Sequence, residues 1–142
     1  MNNELIAKAS VNIKAPLDKV WTALVNPEII KQYMFGADVI TDWKKGSSIK
    51  WKGVWDGKPY EDKGTILKIE PESLLKFSHF SPLNGLRDVP ENYHTLTYKL
   101  STEEDETRIT LTQDNNLSEK DLESSQKMWS DMLAVLKTVL EK

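Results

Sequence analysis

A chain of 142 residues, 39% hydrophobic and 29% charged, has the size and composition of one globular domain spanning residues 1–142. Such a chain buries a core without metal or disulfide support and is too apolar to stay disordered. It has no cysteine, which excludes disulfides, thiolate nucleophiles and cysteine-ligated zinc or iron–sulfur sites, and its formal charge of −3 with scattered lysines argues against a nucleic-acid partner.

The chain opens on Met1-Asn2-Asn3-Glu4, without the basic and apolar regions of a secretory leader, so a cytoplasmic location is expected. Residues 4–14 alternate, with Ala7, Ala9, Val11 and Ile13 on one face and Lys8, Ser10, Asn12 and Lys14 on the other, the period of a half-buried strand. Ala15-Pro16 ends it and starts a helix on which Leu17, Val20, Trp21 and Leu24 recur at helical spacing until Asn26-Pro27. A second short helix follows, with Ile30, Tyr33 and Met34 on one side.

Strands are predicted at 37–42, 48–55, 60–70, 74–80, 93–101 and 106–114, separated by turns such as Asp56-Gly57-Lys58-Pro59 and the acidic run Glu103 to Glu106. Short connections imply antiparallel pairing, hence a meander. That acidic run reads as a solvated hairpin tip, because a calcium loop needs a glycine that it lacks. No run approaches the roughly 18–20 apolar residues of a membrane span, so no membrane insertion is expected.

The last segment is an amphipathic helix of about 24 residues, roughly 36 Å long, capped by Ser118. Leu122, Trp129, Met132, Leu133, Leu136 and Leu140 share one face, while Ser125 and Gln126 interrupt the stripe and imply looser packing in the first half.

Strand, two short helices, six strands and a long terminal helix is the order of the α+β helix-grip fold, a curved antiparallel sheet wrapped around the last helix. Along that order Ile13-Lys14-Ala15-Pro16 leads into Val20-Trp21-Thr22-Ala23-Leu24, followed by Asn26-Pro27-Glu28-Ile29-Ile30. Gly64 to Pro71 with Leu75 and Phe77 come next, and then Trp129-Ser130-Asp131-Met132-Leu133 before Leu136-Lys137. In these motifs the chain resembles the START-like superfamily of Bet v 1, lipid-transfer START domains and polyketide cyclases. Within it the chain is most similar to the activator of heat-shock protein 90 ATPase homologue family. Tyr33 stands where the family often has Trp, and Met128 where Gly often precedes the last Trp. The eukaryotic chaperone activator carries a further N-terminal domain for which 142 residues leave no room. The resemblance therefore implies the fold and a cavity more strongly than chaperone activation.

Five tryptophans are many for this length, and large rings either fill a core or line an opening in it. On predicted strands His94, Leu96, Tyr98 and Leu100 share a face, as do Leu75, Phe77 and His79, and as do Thr107, Ile109, Leu111 and Gln113. If these faces meet under the helix, they form an apolar hollow with a few polar groups, the composition of a small-molecule site. Tyr33, Trp51, Phe77, His79, His94, Tyr98, Trp129 and Met132 are its expected lining, between the sheet and the first half of the last helix. The segment Ser81 to Asn92 reads as a flap over its mouth or a partner-contact surface.

No phosphate loop, nucleophile elbow or His-Glu-x-x-His occurs, so no catalytic residue, metal ligand or cofactor is assigned. Neither histidine has an acidic neighbour on its own strand face. The leading expectation is a binding protein for a small hydrophobic or aromatic ligand. The alternatives are a cyclase-like or hydrolase-like enzyme using His79 or His94 as acid or base, and a chaperone-associated interaction module. Protein partners in keeping with the resemblance are a chaperone or a second copy of the chain.

Overall fold

The structure is a computed structural model describing residues 5–82 and 85–142, apart from the side chain of Trp55. In chain order its elements are β1 (Ala7–Ile13), α1 (Leu17–Val25), α2 (Pro27–Tyr33), β2 (Asp38–Ile40), β3 (Ser48–Trp55), β4 (Lys58–Glu70), β5 (Leu74–His79), β6 (His94–Glu103), β7 (Glu106–Gln113) and α3 (Glu119–Leu140). The strands form one antiparallel seven-stranded sheet in the order β1-β7-β6-β5-β4-β3-β2. With α3 laid against it, this is the helix-grip α+β architecture. Among the described residues no helix is long and apolar enough to cross a membrane.

Turn chemistry sets the meander. Trp55 pairs with Lys58, and between them Asp56 and Gly57 both take positive φ (52° and 77°), the conformation that matches a two-residue hairpin to strand twist. The acidic run is likewise a hairpin tip, with Glu103 paired to Glu106 and Glu104 at φ 55°. Gly64 is required by a close approach: a Cβ there would lie 1.7 Å from the carbonyl oxygen of Ser78. Beside it the β4–β5 register shifts between Ile66 and Lys68, so the sheet bends at this point.

The helices start where capping groups satisfy their first amides. The Asn26 side chain accepts from Glu28 N at 2.9 Å, with Pro27 in the first turn, and Ser118 Oγ accepts from Asp121 N at 3.2 Å. At 22 residues α3 is slightly shorter than its sequence pattern suggests. Trp129, Met132, Leu133, Leu136 and Leu140 are buried against the sheet, each contributing about 1.5–3 kcal/mol by leaving water.

Side chains of α3 and of Glu141, its C-cap, also cover the free edge of β1. Gln126 Oε1 accepts from Lys8 N at 3.2 Å, Glu141 Oε2 from Lys14 N at 2.8 Å, and Lys137 Nζ donates to Asn12 O at 2.9 Å. These bonds occupy edge groups that would otherwise be open to pairing with another strand. They also fix the helix along the sheet. Gln126, an interruption of the apolar stripe, is thus one of the ties that set where the helix lies.

Candidate functional site

The second half of α3 packs into the core, whereas a cavity of about 710 Å³ opens between its first half and the sheet. Strands β3, β5 and β6 supply Trp51, Phe77, His79, His94, Leu96 and Tyr98; α3 supplies Ser124, Lys127, Met128, Trp129, Asp131 and Met132. The chain after α2 adds Met34, Phe35 and Ala37. Phe35 (65% exposed) and Met128 (46%) stand at the rim, where apolar surface meets solvent.

Of the residues expected to line a hollow, Trp51, Phe77, His79, His94, Tyr98, Trp129 and Met132 border this cavity, and Tyr33 does not. Tyr33 is a core residue, 2% exposed, whose hydroxyl donates to Ala23 O at 2.8 Å and so locks α2 onto α1. Burial holds its phenol well above the ordinary tyrosine range, with a further push from Tyr98.

The aromatic rings form a continuous wall. Trp51 lies 5.2 Å from Phe77 and 5.0 Å from His79, the latter edge-on at 68°, and Phe77 lies 6.2 Å from Tyr98, all centroid to centroid. Tyr60 joins them because β3 carries Gly53 opposite it: a Cβ at Gly53 would come within 2.7 Å of the Tyr60 hydroxyl. Only glycine leaves that ring room to lie across the strand.

Polar groups interrupt the wall at defined points. His79 Nε2 donates to Asp62 Oδ2 at 2.9 Å, with both side chains more than four-fifths buried. No acidic residue shares the histidine's own strand face; the partner comes instead from the neighbouring strand β4. The other carboxylate oxygen, Asp62 Oδ1, is buried without a hydrogen-bond partner. Burial raises the Tyr60 phenol, and the Asp62 charge raises it further, so this hydroxyl stays neutral beside the carboxylate.

On β6, His94 Nδ1 donates to Asp114 O at 2.8 Å, and the Asp114 carboxylate in turn accepts from Thr95 N at 2.6 Å. Gln113 Oε1 accepts the indole N–H of Trp129, a buried bond between sheet and helix. Desolvation alone raises the Tyr98 phenol far above its ordinary value. Among the described residues, no group of three His, Asp or Glu side chains is placed to hold a metal ion.

Sequence reasoning overlooked Asp62 and Tyr60 on β4. Counting back by twos from buried Ile66 puts both on its face, so the period of the strand carried the signal. Part of the proposed flap, Leu83 and Asn84, lies outside the described residues. Of the rest, Ser81 lines the cavity, and Asp88 is held away from it by an ion pair with Lys63 and by the Tyr93 hydroxyl at 2.6 Å.

Comparison with known proteins places this geometry in a family. The model of the family described as Activator of Hsp90 ATPase homolog 1-like protein matches residues 14–141. The solution structure of ChR145 from Cytophaga hutchinsonii is 55% identical, with a TM-score of 0.86 over 99% of this chain and 97% of that one. The Aha1 dimer from Colwellia psychrerythraea is 21% identical, with a TM-score of 0.74 over 96% of each chain. DynU16, a putative protein of the dynemicin biosynthetic locus, is 20% identical with a TM-score of 0.80, over 96% of this chain and 47% of that one. At such identities the last two share the fold alone. No curated protein matches the chain.

Proposed function

We propose that this chain, which belongs to the Activator of Hsp90 ATPase homolog 1-like family, binds a small, largely aromatic ligand in the cavity under the first half of α3. The observation that carries the reading is the cavity itself: about 710 Å³, walled by Trp51, Phe77, Tyr98 and Trp129, with a few polar side chains at fixed places. Its volume falls within the roughly 300–1,000 Å³ of small-molecule sites, and an apolar lining with few polar groups is their usual composition. The exposed Phe35 and Met128 at the rim extend the same apolar surface outward.

Titration with the polarity-sensitive dye anilinonaphthalene sulfonate tests the reading. Saturable binding at one site with blue-shifted emission is expected. Ser124→Trp, which sets an indole in the mouth from an exposed helix position, abolishes it. Dye binding that is absent from the parent, or unchanged in that variant, contradicts the reading.

A second reading, acid–base chemistry on the bound molecule, draws support from the hydrogen bond of 2.9 Å between His79 and Asp62 inside the cavity. A carboxylate that orients an imidazole is a recurrent arrangement for proton transfer. Its signature is a turnover or exchange rate on the ligand that falls in His79→Gln while affinity is kept.

A further inference from the structure

Two polar side chains on one wall of the cavity have a hydrogen-bonding sense that the protein has already decided, and a third beside them can donate. His94 and Tyr98 project from the same face of β6, and Gln113 on β7 pairs with Leu96, the residue midway between them. A backbone carbonyl only accepts, so the His94 nitrogen facing Asp114 O must be the protonated one, Nδ1–H. In the neutral ring Nε2 then carries the lone pair, and His94 offers the cavity an acceptor. An indole N–H only donates, so the Gln113 atom that meets Trp129 must be its oxygen. What Gln113 has left for the cavity it lines is its NH2, a donor. Tyr98 can add a second donor, since burial keeps its phenol protonated, although its oxygen can also accept.

Resting on the reading of the cavity as a ligand site, we propose that the ligand is an aromatic compound carrying both a hydroxyl and a carbonyl group. The hydroxyl donates to His94 Nε2, and the carbonyl oxygen accepts from Gln113 Nε2 and the Tyr98 hydroxyl. A carbonyl set against His94 Nε2 would bring two acceptors together, so the group there must carry a proton. The Gln113 amide and the Tyr98 hydroxyl together call for an oxygen with two lone pairs, which a carbonyl supplies outright and a hydroxyl supplies only by turning its own proton away. Across the strand, His79 pairs with His94 in register; its Nε2–H is spent on Asp62, so in its neutral ring Nδ1 carries the lone pair, and the response of the ether penalty to His94→Phe tells the two acceptors apart.

Three probes with the same ring system test this: acetylnaphthol with its two substituents at opposite ends, its methyl ether, and naphthol. The ether lacks the donated proton and naphthol lacks the carbonyl. Each missing bond should weaken binding by about tenfold, the usual worth of one hydrogen bond to a desolvated partner. In His94→Phe the tenfold penalty for the ether disappears, while the penalty for naphthol persists. In Tyr98→Phe the naphthol penalty shrinks, and the ether penalty persists. Equal affinity of all three for the parent protein overturns the assignment of donor and acceptor but leaves the cavity as a ligand site. Failure of all three to bind overturns both. Should His94→Phe not fold, the parent's affinity ranking and the ring-nitrogen NMR shifts of His94 decide. A protonated Nε2 in those shifts overturns the assignment.

Discussion

Gln113 on β7 and Trp129 on α3 are joined by a buried hydrogen bond from the indole N–H to the amide oxygen, at the edge where the solid core gives way to the cavity. The bond lets a large ring sit at that boundary without an unpaired donor. Trp129→Ala removes both ring and bond and should cost about 3–5 kcal/mol out of the roughly 5–15 kcal/mol that stabilises a domain. Trp129→Phe keeps most of the apolar contact and loses one hydrogen bond, so about 1–2 kcal/mol is expected. Thermal unfolding measures both. A Trp129→Ala protein as stable as the parent would place the wrong face of α3 on the sheet.

At Gly64 the constraint is backbone against side chain. Any Cβ would collide with the Ser78 carbonyl, so even Gly64→Ala must push β4 and β5 apart where the sheet bends. A loss of about 2–4 kcal/mol follows, against less than about 1 kcal/mol for the same change at an open strand position. Urea unfolding of Gly64→Ala is the measurement; a neutral result would contradict the close approach.

The pair Asp62–His79 predicts a non-additive cycle. His79→Ala leaves a mostly buried carboxylate without its donor, and the expected cost is about 2–4 kcal/mol. Adding Asp62→Asn to that variant removes the stranded charge. The double variant should therefore be more stable than His79→Ala alone, which urea midpoints would show. Simple additivity would mean the two side chains do not interact in solution.

Buried phenols give the protein an alkaline limit. Tyr33 and Tyr98 both have folded-state values raised by burial above the roughly pH 10 of an exposed tyrosine. Their contribution is intact below that point and is lost as pH rises, because the unfolded chain releases phenolic protons that the folded one retains. Stability should fall steeply above about pH 10. Tyr98→Phe removes one such group and should make the fall shallower, as read from unfolding midpoints across the alkaline range.

Much of this was legible in the residues themselves. The apolar stripe from Trp129 to Leu140 gave the buried face of α3, and alternation gave the inward faces of β5, β6 and β7, because one buried side imposes a period on each element. What the pattern could not carry were relations between elements. Tyr33 has the spacing of a residue facing the sheet, yet its ring is captured by the carbonyl of Ala23, which depends on the angle between α1 and α2. Asp62 belongs to a charged stretch that reads as surface, and its burial depends on His79 arriving from the next strand. Cavity volume has no sequence period at all.

The most direct test of a ligand site under α3 is intermolecular NMR: nuclear Overhauser contacts between the ring protons of bound acetylnaphthol and the protein. The account predicts contacts to Phe77, Tyr98, Trp129 and Met132, side chains that are almost entirely buried and that all line the cavity. Contacts confined to exposed apolar residues remote from it, such as Ile40 and Val54, or no contacts at saturating probe, would contradict it.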